Sequence, residues 1–123
     1  MFESGEMYLE TILVLSQENQ VVRSVDIANE MGFSKPSVSR AVNKLKQDGY
    51  IDIDSFGYIT LKNMGLEIAK RIYDRHTLLT KALCMLGVDE KIASRDACKI
   101  EHDISEETIM AIKKHIEQKT NKE

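Results

Sequence analysis

At 123 residues, with 42% hydrophobic and 30% charged side chains, the chain has the balance of an ordinary folded protein and is too short for several full-sized domains. Its net charge of −3 excludes an indiscriminate nucleic-acid coat, though not a specific DNA binder whose docking face alone is basic. No apolar run approaches the roughly 18 residues of a membrane span, and the acidic opening is unlike a signal peptide. Its two cysteines are therefore expected to be free thiols in the cytoplasm.

Residues 6–18 read as a first helix with Ser4 as its N-cap. Apolar side chains cover most of its circumference, which predicts burial. Glu10 is the exception, a carboxylate about one turn from Met7. Ser24 is placed as the cap of a short helix from Val25 to Met31, closed by Gly32 at a position suited to a left-handed C-cap. Ser34 caps the next helix, Pro36 falls in its first turn where a missing N–H is harmless, and Gly49 ends it. Two short helices around a tight glycine-containing turn form a helix-turn-helix pattern.

The second of these helices carries the signal for DNA. Val38, Ala41, Val42 and Leu45 share one side of its wheel. Pro36, Ser37, Arg40, Asn43, Lys44 and Gln47 share the other, flanked by Lys35, Ser39 and Lys46. Between Ser34 and Asp48 stand four basic residues and one acid, in a chain that is acidic overall. Short side chains let a helix approach the major groove, Arg and amides reach base edges, and Lys neutralises phosphate. A merely solvated face is the plainer reading, but the cap-turn-cap layout favours groove entry. The candidate DNA contacts are Ser24, Lys35, Pro36, Ser37, Ser39, Arg40, Asn43 and Lys44.

Alternating residues 50–54 and 58–61, joined by Ser55-Phe56-Gly57, describe a β-hairpin, the wing of a winged helix-turn-helix. Asp52 and Asp54 are expected to face away from phosphate, and Tyr58 joins the candidate contacts. A long helix should run from Asn63 to about Leu86 with Gly87 as its stop, carrying His76 at its middle and Cys84 as core packing. Asp89 can cap the following helix, and Ser105-Glu106-Glu107 opens a last one with Ile104, Ile109, Ile112 and Ile116 as its apolar stripe. Residues from about Gln118 on are expected to fray. Two short helices cannot cover all the apolar side chains of the long one, so a second copy of the chain, a symmetric homodimer, is expected.

Cys98, Glu101 and His102 stand at i, i+3 and i+4. On a helix of about 100° per residue they share one face. Thiolate, carboxylate and imidazole are three metal-ligand types. An isolated match of this kind is more often a surface helix. The DNA-binding half that precedes it turns the balance toward a metal site.

The arrangement resembles the metal-dependent repressors related to the diphtheria toxin repressor, the iron-dependent regulators and the manganese transport regulators. The resemblance rests on Glu6-Met7-Tyr8-Leu9, Pro36-Ser37-Val38-Ser39, Arg75-His76 and Asp96-Ala97-Cys98-Lys99-Ile100-Glu101-His102. It implies a fold that is mostly α with a small β-wing: a winged helix-turn-helix domain over residues 1–62, then an all-α metal-binding and dimerisation domain over 63–123, a short form without the SH3-like third domain. By matching position it implies Met7, Cys98, Glu101 and His102 as the primary site of the iron branch. Glu10 and His76 match the second-site ligands of the manganese branch, with Glu101 shared. Thr80 and Ser94 depart from the iron branch, standing where its ancillary ligands are expected.

Thioether and thiolate ligands favour Fe²⁺ over Mn²⁺, while Co²⁺, Ni²⁺ and Zn²⁺ should bind in vitro. The expected function is a divalent-metal-dependent repressor of metal-uptake genes that senses Fe²⁺ and binds a palindromic double-stranded operator, with no membrane or small-molecule substrate as partner. Mn²⁺ sensing is the alternative within the family. A winged-helix protein indifferent to metal is the alternative outside it. A metalloenzyme is disfavoured: the chain has no Gly-rich phosphate loop and no nucleophile–base pair, and Met is a poor ligand for hydrolysis.

Overall fold

The computed structural model describes residues 1–2 and 4–121. Among them, six helices and two strands follow in the order α1 (Gly5–Glu18), α2 (Ser24–Met31), α3 (Lys35–Gln47), β1 (Ile51–Ile53), β2 (Ile59–Leu61), α4 (Asn63–Met85), α5 (Glu90–Ile100) and α6 (Glu106–Asn121). The chain forms two compact units, residues 1–71 and 72–123. No helix is long and apolar enough to cross a membrane.

In the first unit one core joins every element. Tyr8, Leu9 and Ile12 of α1, Ile27 of α2, Val38, Val42 and Leu45 of α3, and Ile51 and Ile59 of the hairpin are all buried in a single cluster. The apolar faces read from the wheel of α3 are the faces that are buried, which leaves its polar side to solvent. Ser34 Oγ accepts from Ser37 N–H at 3.3 Å, so α3 starts at the expected cap. Helix α2 differs: Ser24 lies inside it and Arg23 takes the N-cap position. The carboxylate of Asp26 turns back to accept from Arg23 N–H at 2.9 Å, so the helix start is secured from its third residue rather than by a serine cap. Gly32 closes α2 at φ 70°.

The strands pair antiparallel, Ile51 with Leu61 and Ile53 with Ile59. At their turn Asp54 Oδ1 accepts from Phe56 N–H at 2.8 Å and Tyr58 N–H at 2.9 Å, folding that acid onto the backbone. Gly65, on α4, lies against the carbonyl of Tyr50, where a β-carbon would collide.

The second unit has a small core of Leu79, Ala97 and Ile109, with Leu78, Ile104 and Ile112 packed on it. Asp89 caps α5 by accepting from Lys91 N–H at 3.1 Å, and Ser105 caps α6 by accepting from Thr108 N–H at 3.2 Å. Helix α6 is regular to Asn121, past the expected fraying point, and the final two positions lie outside the described residues. Cys84 is exposed rather than core. It sits near the end of α4, where Met85 and Leu86 are exposed too, the latter to 81%. Beside them opens an apolar groove of about 510 Å³ walled by Leu79, Leu83, Leu86, Ile100, Ile104 and Ile112.

Candidate metal centre and nucleic-acid interface

Helix α4 presents His76 to the end of α5. His76 Nδ1 lies 2.9 Å from Glu101 Oε2 and 3.7 Å from Cys98 Sγ. One donor atom from each of His76, Cys98 and Glu101 falls within 4.8 Å of the others, a spacing that one ion can bridge. The other carboxylate oxygen of Glu101 faces His102 Nε2 at 3.5 Å, so one carboxylate serves two imidazoles. Glu101 is 1% exposed. A buried carboxylate is costly unless charge or hydrogen bonds meet it; His76 Nδ1 is within hydrogen-bond distance of Oε2, and His102 approaches Oε1.

The expectation of one helical face carrying Cys98, Glu101 and His102 needs correction. Helix α5 ends at Ile100, with Glu101 as its C-cap and His102 in the turn beyond. Glu101 keeps helical angles (φ −58°, ψ −26°), and its N–H still bonds to Ala97 carbonyl at 2.9 Å. It therefore follows Cys98 almost as it would in a helix, and the third nearby donor is His76 from α4.

Arg75, next to His76, was legible only as part of a motif. Its Nη1 donates to the carbonyls of Glu101 (3.1 Å) and Ile104 (2.8 Å), and its Nη2 to Glu106 Oε2 at 2.8 Å. One guanidinium thus ties the turn bearing Glu101 and His102 to α4 and to the start of α6. Thr80 and Ser94 also serve His76. Thr80 Oγ1 donates to its carbonyl at 2.7 Å, and Ser94 Oγ lies 3.2 Å from its Nε2. Met7 and Glu10 lie on α1 in the other unit, Met7 exposed and Glu10 half-buried.

On the first unit, Lys35, Pro36, Ser39, Arg40, Asn43 and Lys44 are exposed along α3, while Ser37 and, at the start of α2, Ser24 are half-buried. Arg40 Nη2 donates to Ser37 Oγ at 3.4 Å, and Lys44 pairs with Asp48 at 3.5 Å. At the wing Tyr58 stacks on Phe56 with ring centroids 5.7 Å apart. Arg23 lies over the Tyr58 ring at 4.8 Å and donates to its hydroxyl at 3.1 Å. This exposed cation beside the wing was not singled out from the sequence, because 35 residues separate it from Tyr58.

A winged helix-turn-helix with a basic recognition face, followed by a helical unit that gathers thiol, imidazole and carboxylate, defines a metal-dependent DNA-binding regulator. The chain belongs to the iron-dependent repressor family: residues 1–55 match its N-terminal DNA binding domain and residues 62–122 its metal binding and dimerisation domain. It is 36% identical over 115 residues to an uncharacterized HTH-type transcriptional regulator of Methanocaldococcus jannaschii, covering 92% of each chain. It is 36% identical over 102 residues to the HTH-type transcriptional regulator MntR of Bacillus subtilis, covering 83% of this chain and 72% of that one. Among solved structures, the manganese regulator SloR superimposes with a TM-score of 0.81 at 25% identity, over 95% of this chain and 55% of that one. A manganese-dependent transcriptional repressor in complex with manganese gives 0.79 at 27% identity, over 88% of this chain and 50% of that one. The chain spans about half the length of these solved structures. As a family member it is a transcriptional regulator with a divalent metal as its cofactor, and not an enzyme.

Proposed function

We propose that the chain is a cytoplasmic, homodimeric repressor of metal-uptake genes that binds a palindromic operator when loaded with Fe²⁺. The observation behind the choice of ion is the sulfur of Cys98 beside His76 Nδ1 and Glu101. A thiolate in the donor set favours later, softer divalent ions than Mn²⁺. His76, Cys98 and Glu101 hold the ion in this reading, His102 adds its imidazole, and the family resemblance supports Met7 and Glu10 as further ligands. When bound, the cation supplies the positive charge that offsets the carboxylates and a thiolate. With the ion held there, the two winged units of a dimer would meet successive half-sites, about 34 Å apart. Arg40 and Asn43 read base edges, Lys35 and Lys44 hold phosphate, Pro36, Ser37 and Ser39 allow close approach, and Ser24 and Tyr58 touch the backbone.

A second reading, Mn²⁺ sensing, is favoured by the manganese-related names of the relatives and by the oxygen and nitrogen donors Glu10, Glu101, His76 and His102. Anaerobic fluorescence anisotropy on a labelled operator from the protein's own promoter region, at one salt concentration, separates the readings. Tight binding with Fe²⁺ at levels where Mn²⁺ fails supports the iron reading, and an equal response supports manganese. Metal–DNA coupling is expected at about 5–150-fold in affinity. Identical binding in chelator and in both metals would overturn both.

A further inference from the structure

His76 has two ring nitrogens, and the structure gives each a different neighbourhood. Nδ1 faces Glu101 Oε2 and Cys98 Sγ, while Nε2 faces away from them, 3.2 Å from Ser94 Oγ. Ser94 lies four residues before Cys98 on α5, so one face of that helix carries both the thiol and the hydroxyl. Thr80 fixes the main chain beneath the ring, and Glu101 and Ser94 face its two nitrogens, one each.

We propose that Ser94 is a positioning residue for the metal centre, its hydroxyl holding His76 so that Nδ1 is the coordinating nitrogen. The inference rests on the proposed metal centre and adds the residue that orients one of its ligands. An ionised carboxylate only accepts, so in a neutral imidazole whose Nδ1–H donates to Glu101, Nε2 is free to accept from the Ser94 hydroxyl. With Nδ1 on a metal, the ring proton must stand on Nε2, where it donates to Ser94 Oγ. For a neutral imidazole the change is one of tautomer alone, with one proton released from Nδ1 to water and one taken up at Nε2 from water. A hydroxyl both donates and accepts, so it satisfies Nε2 in either state without moving. Histidines on metals usually have such a partner, and its loss lowers metal affinity by about 10–100-fold. A neutral hydroxyl also leaves the imidazole less electron-rich than a carboxylate partner would. That suits a reversible sensor better than a permanent metal site.

The test uses the full chain titrated anaerobically with Co²⁺, following the thiolate-to-cobalt absorption, with circular dichroism as a check on folding. Ser94→Ala should weaken Co²⁺ binding by about 10–100-fold, and Ser94→Thr, which keeps the hydroxyl, should restore most of it. In Zn²⁺-loaded protein with ¹⁵N-labelled histidine, long-range ¹H–¹⁵N correlations should show His76 metal-bound at Nδ1 and protonated at Nε2, with His76→Asn assigning the signals. That pattern should be lost in Ser94→Ala. A wild type metallated at Nε2 would overturn the inference. So would a Ser94→Ala variant that matches wild type while His76→Asn loses cobalt. Undiminished cobalt binding by His76→Asn would instead remove the metal-centre reading beneath it.

Discussion

In the winged unit fourteen buried apolar side chains form one cluster, whereas in the helical unit only Leu79, Ala97 and Ile109 do so among the described residues. The helical unit instead exposes Met85 and Leu86 beside an apolar groove and buries the carboxylate of Glu101. The first unit closes one continuous core, although Phe33, Phe56 and Met64 remain exposed on it. The second closes a smaller core, leaves an apolar groove open and gathers thiol, imidazole and carboxylate donors. Anything that binds only the folded form stabilises it by mass action, so a metal held by His76, Cys98 and Glu101 would act on the stability of the helical unit. A sensor built this way keeps its DNA-reading surface intact and places its adjustable part elsewhere.

The sharpest way to break that contrast is Leu45→Ala. Leu45 is fully buried in the winged core, and its loss should destabilise that unit by about 2–5 kcal/mol. Urea unfolding followed by tyrosine fluorescence should show the shift equally in chelator and in metal. A metal-dependent loss would mean that the winged unit does not stand alone.

Metal should act on the other side of the comparison. At a hundredfold excess over its dissociation constant, Co²⁺ or Mn²⁺ should stabilise the wild type by about 2.7 kcal/mol. Glu101→Gln, which weakens the carboxylate facing both His76 and His102, should remove most of that gain. Calorimetric melting with and without metal checks both. A full metal response in Glu101→Gln would take Glu101 out of the centre.

A smaller effect is expected at Gly65. A methyl group there meets the Tyr50 carbonyl and lies 3.4 Å from Leu9 Cδ2, so Gly65→Ala should cost about 1–3 kcal/mol through overpacking in the winged unit. The measurement is again the urea midpoint.

The same contrast governs what could be read from the sequence. The winged unit was legible because its signals are local. Ser34, Pro36 and Gly49 bracket α3, the wheel divides its faces, and Gly57 marks the hairpin turn. Where local signals compete, boundaries slipped by a residue, as when Asp26 rather than Ser24 secured the start of α2. In the helical unit the chemistry is assembled through space. Cys98, Glu101 and His102 are close in sequence. The approach of His76, the three bonds of Arg75 and the Ser94 hydroxyl join elements 18 to 31 residues apart. No periodicity announces such partners, and His76 was indicated only by family resemblance. Cys84 differs from its expected place for a related reason: an apolar neighbourhood in sequence does not by itself make a core, and the residue is exposed near the end of α4.

The smallest predicted effect concerns Tyr8, buried in the winged core against Phe2 and Phe33, with ring centroids 6.2 and 6.1 Å away. Burial penalises the phenolate, so its pKa is raised above the ordinary 10.0. Above pH 10 the unfolded chain releases this proton before the folded one does. Stability held by the neutral phenol is complete below pH 10 and is lost as pH rises toward the folded value. Tyr8→Phe cannot ionise, so the stability of its winged unit should decline less steeply between pH 9.5 and 11, by at most about one proton's worth of slope. Groups common to both proteins cancel in the difference. Denaturant midpoints measured across that range in chelator would show it, and parallel curves would mean that the Tyr8 hydroxyl reaches water in the folded protein.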